Sequence, residues 1–221
     1  MLWTSLALIA TVLFSAGLAA YLLSHDDGPN EPIWALLVVF VIGLAAAQLS
    51  GVINQKLIPF AVDSSVGFMG AVVIGIVPGV FEELLKVLPV AFFVSSQAFF
   101  RRATDGVIYF AFTGLAFGLL ENIQYILISG AAVGFDRLLT LLFFHAATSG
   151  IFGYYYWKAK ASGDWRSLVV PASLLIGAHA LYNFSAAYSA TVPPFKFVAY
   201  TISIGLSVQL IRTYGKARRN Q

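Results

Sequence analysis

The sequence predicts an all-α protein, a polytopic membrane bundle of about eight transmembrane helices. Three observations carry this prediction. Of the 221 residues, 59% are hydrophobic and only 10% are charged. The mean hydropathy of +0.84 lies far above that of soluble globular domains. Apolar runs of about 20 residues, the length needed to cross a bilayer, recur along the whole chain.

The predicted spans follow one another with short polar connections. They cover approximately residues 3–23, 33–52, 60–78, 81–99, 106–129, 137–157, 167–189 and 196–213. The first run lacks the basic start of a signal peptide and is long enough to cross, so we interpret it as a helix. Pro78-Gly79 is expected to separate the third span from the fourth. The short connections predict one integral membrane domain, residues 1–221, and the absence of cysteine excludes disulfides.

The basic residues lie unevenly on the two predicted sides of the membrane. One side collects Lys56, Arg101, Arg102, Lys158, Lys160, Arg166, Arg212, Lys216, Arg218 and Arg219, and the other only Arg137 and Lys196. Because basic loops stay cytoplasmic, both termini are predicted in the cytoplasm. The acidic first loop, with Asp26, Asp27 and Glu31, is then predicted outside. We interpret the basic tail as an anchor at the lipid bilayer and expect no nucleic-acid partner.

A small set of polar residues remains inside the predicted spans. It comprises Glu82, Glu83, Lys86, Glu121, Asn122, His145, His179 and Asn183. An ionised side chain at the bilayer centre costs about 2.5–3.5 kcal/mol on insertion scales, so such residues normally face the bundle interior and find partners. This set therefore predicts a polar core within about residues 79–190.

Spacing and depth both favour a single site. Glu82 and Lys86 are four residues apart, as are His179 and Asn183, which places each pair on one helix face. At 1.5 Å per residue, Glu121, His145 and His179 each lie roughly 14 Å below the outer end of their predicted helix. These side chains are therefore expected at one level in the outer half of the bundle.

Two chemistries suit these side chains. A buried carboxylate could act as general base on water, with an imidazole orienting the water and an amide stabilising an oxyanion. Alternatively, zinc could be bound by His145, His179 and a glutamate, with one coordination position left open. The glutamate predicted for this role is Glu121. Both chemistries lead to hydrolysis of an acyl bond.

Four motifs in order on successive helices carry a resemblance. They are "EELLK" (82–86), "DGVIYFAFTGLAFGLLENIQY" (105–125), "HAATSGIFGY" (145–154) and "HALYN" (179–183). Together they resemble the PrsW family of bacterial and archaeal intramembrane proteases, which belongs with the CAAX prenyl endopeptidases and glutamic-type membrane proteases. The resemblance covers about residues 79–190.

The resemblance implies an intramembrane endopeptidase of a prokaryotic cell membrane. Its substrate would be a membrane-anchored protein cut near the extracytoplasmic side, as in site-1 cleavage of an anti-sigma factor. The implied catalytic residues are Glu82, Glu83, His145, His179 and Asn183, with Lys86, Glu121 and Asn122 supporting them. Because the superfamily has been described both as zinc-dependent and as metal-free, either zinc or no cofactor is implied.

Other interpretations of the same residues stay open. Lys86 is the natural charge partner of Glu82 or Glu83, and Asn122 is as well suited to interhelical hydrogen bonding as to the site. A proton-coupled transporter would also gather Glu, His and Asn at one depth, and a non-catalytic scaffold could use the cluster to hold helices together. The sequence makes no prediction of oligomeric state.

Overall fold

The computed structural model describes residues 1–26, 28, 31–58 and 67–219, and these residues form an all-helical bundle without strands. Its helices are α1 (Leu2–Ser24), α2 (Ile33–Leu57), α3 (Phe68–Ser95), α4 (Ala103–Ser129), α5 (Ala131–Ser162), α6 (Arg166–Tyr188) and α7 (Phe195–Arg219). Six of them, α1 to α6, are long and apolar enough to cross a membrane. The prediction of a polytopic helical membrane bundle is confirmed at this level.

The predicted count of eight helices differs from the described part of the chain, which contains seven. The predicted spans 60–78 and 81–99 meet within one helix, α3, although residues 60–66 lie outside the described residues. Pro78 is accommodated inside α3. Gly79 serves helix packing instead of a turn, because a Cβ there would come within 2.7 Å of the backbone nitrogen of Ala180 on α6. The pair therefore brings α3 close to α6 without ending the helix.

Helix α4 lies at the centre of the bundle and contacts α1, α2, α3, α5 and α7. It packs most closely against α5, where small residues let the two backbones touch. A Cβ on Gly153 would stand 2.0 Å from the carbonyl oxygen of Gly106, and one on Gly114 would stand 2.0 Å from that of His145. This close approach fixes the position of His145 relative to α4.

One end of the bundle gathers most of the positive charge, and we call it the basic face. It carries Arg101, Arg102, Lys158, Lys160, Arg166, Arg212, Lys216, Arg218 and Arg219. Arg102, just before α4, pairs with Asp26, which follows α1, at 2.9 Å. The hydroxyl of Tyr214, near the end of α7, donates to the carbonyl of Leu22 at the end of α1. These contacts place the ends of α1 and α7 beside the start of α4.

The predicted arrangement of loops is wrong in one respect. The acidic first loop and Arg102 were expected on opposite sides of the membrane, but Arg102 contacts both Asp26 and Glu31 of that loop; Asp27 lies outside the described residues. The reason is the single helix α3, which removes one crossing and reverses α1 and α2. Lys56, at the end of α2, consequently lies away from the basic face, and Met1 lies at the end of the bundle opposite the end of α7.

The loop carboxylate of Glu31 is buried, with 8% of its surface exposed. It accepts a hydrogen bond from the hydroxyl of Tyr109 and lies 3.4 Å from the Arg102 guanidinium. Burial raises the pKa of Glu31 to about 8, although the Tyr109 hydrogen bond opposes this shift. Glu31 thus links the first loop to α4 through a carboxyl group that is protonated more readily than usual.

Candidate active site

The predicted site residues of α3 point into the bundle. Glu82, Glu83 and Lys86 are all buried, with 4%, 3% and 0% of their surfaces exposed. They occupy neighbouring positions on successive turns of a helix whose Gly79 lets α6 approach. The charged motif therefore faces α2, α5 and α6 rather than lipid.

Glu83 is held between a lysine and a histidine. Its Oε1 accepts from Nζ of Lys86 at 2.7 Å and lies 2.6 Å from Nδ1 of His179 on α6. Because an ionised carboxylate only accepts hydrogen bonds, Nδ1 of His179 carries the proton. In the neutral form of the His179 ring, Nε2 then presents a lone pair, and Glu83 sets the orientation of this ring.

His145 on α5 bridges the lysine and a second carboxylate. Its Nδ1 lies 3.0 Å from Nζ of Lys86, which also donates to Thr148 at 3.1 Å. Its Nε2 lies 2.8 Å from Oε2 of Glu121 on α4. Since an ammonium group can only donate, Nδ1 accepts and Nε2 carries the hydrogen that is donated to Glu121.

Glu82 has one oxygen in fixed hydrogen bonds and one directed into the site. Oε1 accepts from the Ser50 hydroxyl and the Asn54 amide of α2, each at 3.0 Å. Oε2 lies 3.4 Å from Nε2 of His179. With the neutral His179 ring, two atoms with lone pairs face each other at this point, and this arrangement is favourable when a donor or a cation lies near both.

Glu121 connects the site to the helix end away from the basic face. Its Oε1 accepts from the Arg137 guanidinium at 3.0 Å, and Arg137 lies over the ring of Tyr125, 3.7 Å from its centroid. The Glu121 side chain is 19% exposed, more than the other carboxylates of the cluster. It is therefore the most accessible acid in the cluster.

The two predicted asparagines behave differently. Asn122 is fully buried, and its amide donates to Thr11 of α1 at 2.9 Å and to the Gly134 carbonyl of α5 at 3.4 Å. It connects helices, which is the alternative interpretation that the sequence left open. Asn183 is half-buried, one turn beyond His179 on α6, and has no hydrogen bond to the cluster among the described residues.

Several contacting residues were not predicted. Ser50 and Asn54 of α2, Thr148 of α5 and Arg137 of α5 all bind cluster residues directly. The sequence could have pointed to Ser50 and Asn54, because they are four residues apart and share a face of an otherwise apolar helix. Arg137 was assigned only to topology, and Thr148 carries no distinctive spacing.

The structure brings together three residues that could bind a metal ion, and one of them differs from the predicted zinc ligands. Among the described residues, Glu82, His145 and His179 offer ligand atoms that all lie within 4.8 Å of one another. The predicted set had Glu121 in place of Glu82. A carboxylate with two imidazoles is a donor set of catalytic zinc sites. Each imidazole also has a carboxylate on one ring nitrogen, Glu83 for His179 and Glu121 for His145, the usual support of histidine ligands.

Glu121 and His179 lie closer to the end of the bundle opposite the basic face, whereas Glu82 lies near the middle of α3. At 1.5 Å per residue, Glu121 lies about 12 Å and His179 about 14 Å from the ends of α4 and α6 at that side. His145 lies about 21 Å along α5 from the same side. The cluster is therefore within the apolar thickness of the bundle, at a depth where hydrolysis needs a protected route for water.

A helical membrane bundle in which carboxylates and imidazoles converge on one buried point suits an intramembrane hydrolase. The comparison with known families agrees with this class. The profile of the PrsW family, described as intramembrane metalloproteases, matches residues 31–211, and the chain belongs to this family. It is therefore an intramembrane peptidase, and the transporter and scaffold interpretations are set aside.

Curated relatives cover most of the chain. It is 32% identical over 186 residues to Protease PrsW of Bacillus subtilis, covering 78% of this chain and 81% of the relative. Protease PrsW of Geobacillus kaustophilus is 30% identical over 183 residues, with 78% of each chain covered. That of Oceanobacillus iheyensis is 26% identical over 204 residues, covering 87% and 93%. No solved structure matches the chain.

Proposed function

We propose that this peptidase hydrolyses a peptide bond of a membrane-anchored protein, with Glu82 as the general base. The observation that carries the proposal is the approach of Glu82 Oε2 to Nε2 of His179, 3.4 Å apart. A water molecule there can donate one hydrogen to the carboxylate and direct its oxygen at a carbonyl carbon. The other oxygen of Glu82 is held by Ser50 and Asn54, which fixes the direction of Oε2.

Glu83 has a different proposed role. Its Oε1 is shared by Lys86 and His179, and its side chain is only 4% exposed. A carboxylate that is so engaged is poorly placed to accept a proton from water, but it fixes the tautomer of His179. We therefore assign Glu83 as a positioning residue and Lys86 as its charge partner.

The reaction balances with the groups present. Water oxygen bonds to the carbonyl carbon while its proton passes to Glu82, and the same proton then goes to the leaving amine nitrogen as the C–N bond breaks. The amide of Asn183, one turn from His179, is the proposed donor to the oxyanion. The amide of Asn122 is committed to Thr11 and has no part in this step.

If a metal is used, zinc is the proposed cofactor, held by Glu82, His145 and His179, and Glu82 would then serve as a ligand instead of as the general base. Bound zinc would polarise the carbonyl and lower the pKa of water. Nδ1 of His145 accepts from Lys86 in this structure. Lys86 and a cation would therefore compete for that nitrogen.

The proposed orientation puts the basic face in the cytoplasm, because lysine and arginine favour that side. The site then lies in the extracytoplasmic half of the membrane, with Met1 outside and the end of α7 inside. A segment of a single-pass protein just outside or within the outer leaflet would reach this depth. Anti-sigma factors anchored by one helix are the proposed substrate class, on the resemblance of the motifs to the PrsW family.

Reconstituted vesicles provide the test. Single-pass reporters that carry extracytoplasmic juxtamembrane sequences of bacterial anti-sigma factors are incubated with the wild-type chain and with Glu82→Gln. We expect wild type to cleave at least one reporter and Glu82→Gln to cleave none. Glu31→Gln makes the same chemical change at the other end of the bundle and should retain cleavage. Cleavage by Glu82→Gln at the wild-type rate would exclude Glu82 as the base.

A further inference from the structure

A cleft between α2 and α4 leads from the bundle surface to the site. It has a volume of about 340 Å³, and its lining includes Glu82 and Glu121. Ile128 and Ser129 line its outer end, on the side away from the basic face. The cleft therefore joins two carboxylates of the cluster to the membrane surface in the half where the site lies.

The cleft carries amide groups at a depth where such groups are costly. Gln124 lines it and donates to the Oε1 of Gln48 across the gap between α4 and α2, at 3.2 Å. Gln48 is exposed on the outside of the bundle. A polar side chain facing lipid normally needs a partner, and here the two amides satisfy each other between the helices.

At the inner end of the cleft, Asn54 has one buried polar atom without a partner in the described part of the chain. Its Nδ2 donates to Glu82, but its Oδ1 is buried with no hydrogen-bond partner among the described residues. Buried acceptors without a partner are rare in native structures, and each has a cause. Because Asn54 lines the cleft, this acceptor beside the proposed general base is suited to a backbone N–H of a bound peptide.

Two other cavities lack this chemistry. The groove between α1 and α7, of about 500 Å³, is lined almost wholly by apolar and aromatic residues and contains no residue of the cluster. The cavity beside Glu83, of about 210 Å³, is otherwise lined by apolar side chains of α3, α5 and α6. Neither is lined by a side-chain amide of the described residues, the group that can pair with both the N–H and the C=O of a peptide backbone.

We propose that the substrate reaches the site as an extended peptide segment through the α2/α4 cleft, bound by the amides of Asn54, Gln124 and Gln48. This proposal rests on the proposed function and adds the route and the form of the substrate. An extended segment needs partners for its N–H and C=O groups in the membrane, and side-chain amides provide both. A lipid acyl chain would not use them.

Two glycines give a matched test of the route. Gly51 lines the α2/α4 cleft and Gly17 lines the α1/α7 groove, and an added Cβ at either would meet no described atom within 4 Å. Large side chains can therefore fill either cavity without a clash at the Cβ. We expect Gly51→Phe to lower reporter cleavage at least tenfold, with a smaller loss for Gly51→Ala. Gly17→Phe should stay within twofold of wild type.

A second measurement detects the bound substrate without cleavage. A photo-reactive benzoylphenylalanine is placed at position 51 or 17 in the Glu82→Gln chain and irradiated with a reporter that wild type cleaves. We expect crosslinks from position 51 and not from position 17. Crosslinks from position 17 alone, or full activity of Gly51→Phe, would overturn the proposed route while leaving the peptidase assignment intact. If wild type cleaves no reporter, the proposed function fails first and the route fails with it.

Discussion

Nε2 of His179 faces Oε2 of Glu82 across 3.4 Å, while Nδ1 of the same ring is held by Glu83 at 2.6 Å. The two adjacent glutamates of α3 therefore contact opposite nitrogens of one imidazole. This geometry assigns them different work, although the sequence presents them as an equivalent pair. One carboxylate is directed at the proposed reacting centre and the other at the ring that supports it.

Substitution of the two glutamates should separate these roles. Glu82→Gln is expected to lower kcat by about 10³-fold, because a general base typically contributes 10²–10⁴. Glu83→Gln is expected to lower kcat by about 10–100-fold through misorientation of His179. Glu83→Asp should recover part of that loss, and the kcat–pH profile of Glu83→Gln should move, since its His179 tautomer is no longer fixed. Equal losses without a change of profile would contradict the division of roles.

Zinc content can be measured independently of activity. If the chain uses the metal, elemental analysis of purified wild type should give about one zinc per chain. His145→Ala and His179→Ala should each lose it. His25→Ala is the control, because His25 lies at the end of α1 and its side chain bonds, among the described residues, to Tyr21 and Ser24 alone. A zinc-depleted chain with full, chelator-resistant activity would instead establish the metal-free glutamate mechanism.

The Lys86–Glu83 pair should show strong coupling in stability. Removal of one partner of a buried ion pair costs about 3–5 kcal/mol, because it leaves the other charge without compensation. We expect Lys86→Met and Glu83→Gln each to be destabilising in detergent unfolding titrations. The double variant should lose clearly less than the sum of the two single losses. Additive losses would indicate that the pair does not interact energetically.

Stability should depend on pH through Glu31. Its pKa is about 8 in the folded chain and near 4.5 when exposed, so the folded chain binds more protons between these values. The contribution of Glu31 to the free energy of unfolding is complete below about pH 4.5 and is lost as the pH rises through about 8. Melting temperature in detergent should therefore fall across this window. In Glu31→Gln the fall should be smaller, and an unchanged fall would exclude Glu31 as its source.

The two asparagines should separate stability from catalysis. Asn122→Ala removes the hydrogen bond to Thr11 and should cost about 1–3 kcal/mol of stability, with kcat unchanged once the protein is folded. Asn183→Ala should lower kcat by about 10²–10³-fold, as loss of an oxyanion donor does, with unchanged stability. Melting temperature and cleavage rate are measured on both variants. A loss of kcat in Asn122→Ala with unchanged kcat in Asn183→Ala would contradict these roles.

Much of the candidate site was predictable from local spacing. The interval from Glu82 to Lys86 places both on one face of a helix, and the depths of Glu121 and His179 are properties of single helices. The contacts of Ser50 and Asn54 with Glu82 were not predictable, because they depend on how α2 packs against α3. Pairing across helices is set by tertiary packing, which a period within one helix does not encode.

The prediction of a break at Pro78-Gly79 failed for a related reason. Proline and glycine weaken an isolated helix, but within a bundle neighbouring helices can compensate, and glycine permits a close approach. The contact of Gly79 with Ala180 is of this kind. Because α3 was predicted as two helices and not as one, α1 and α2 were assigned to the wrong sides of the membrane. Errors of topology in membrane proteins propagate in this way, because each crossing sets the side of every loop counted from it.

The backbone contacts of Gly106 with Gly153 and of Gly114 with His145 have a mechanical consequence. Helices in such contact behave as one stiff body, because close-packed atoms leave no room for sliding. Helix α2 makes the same kind of contact with α4 at Gly43, where a Cβ would stand 2.3 Å from the carbonyl oxygen of Thr113. The compliance needed to admit a polypeptide must then come from the later turns of α2 beside the candidate site, which meet α4 through an apolar cluster and the amides of Gln48 and Gln124. Movement of these turns of α2 against a rigid α4–α5 unit would widen the α2/α4 cleft.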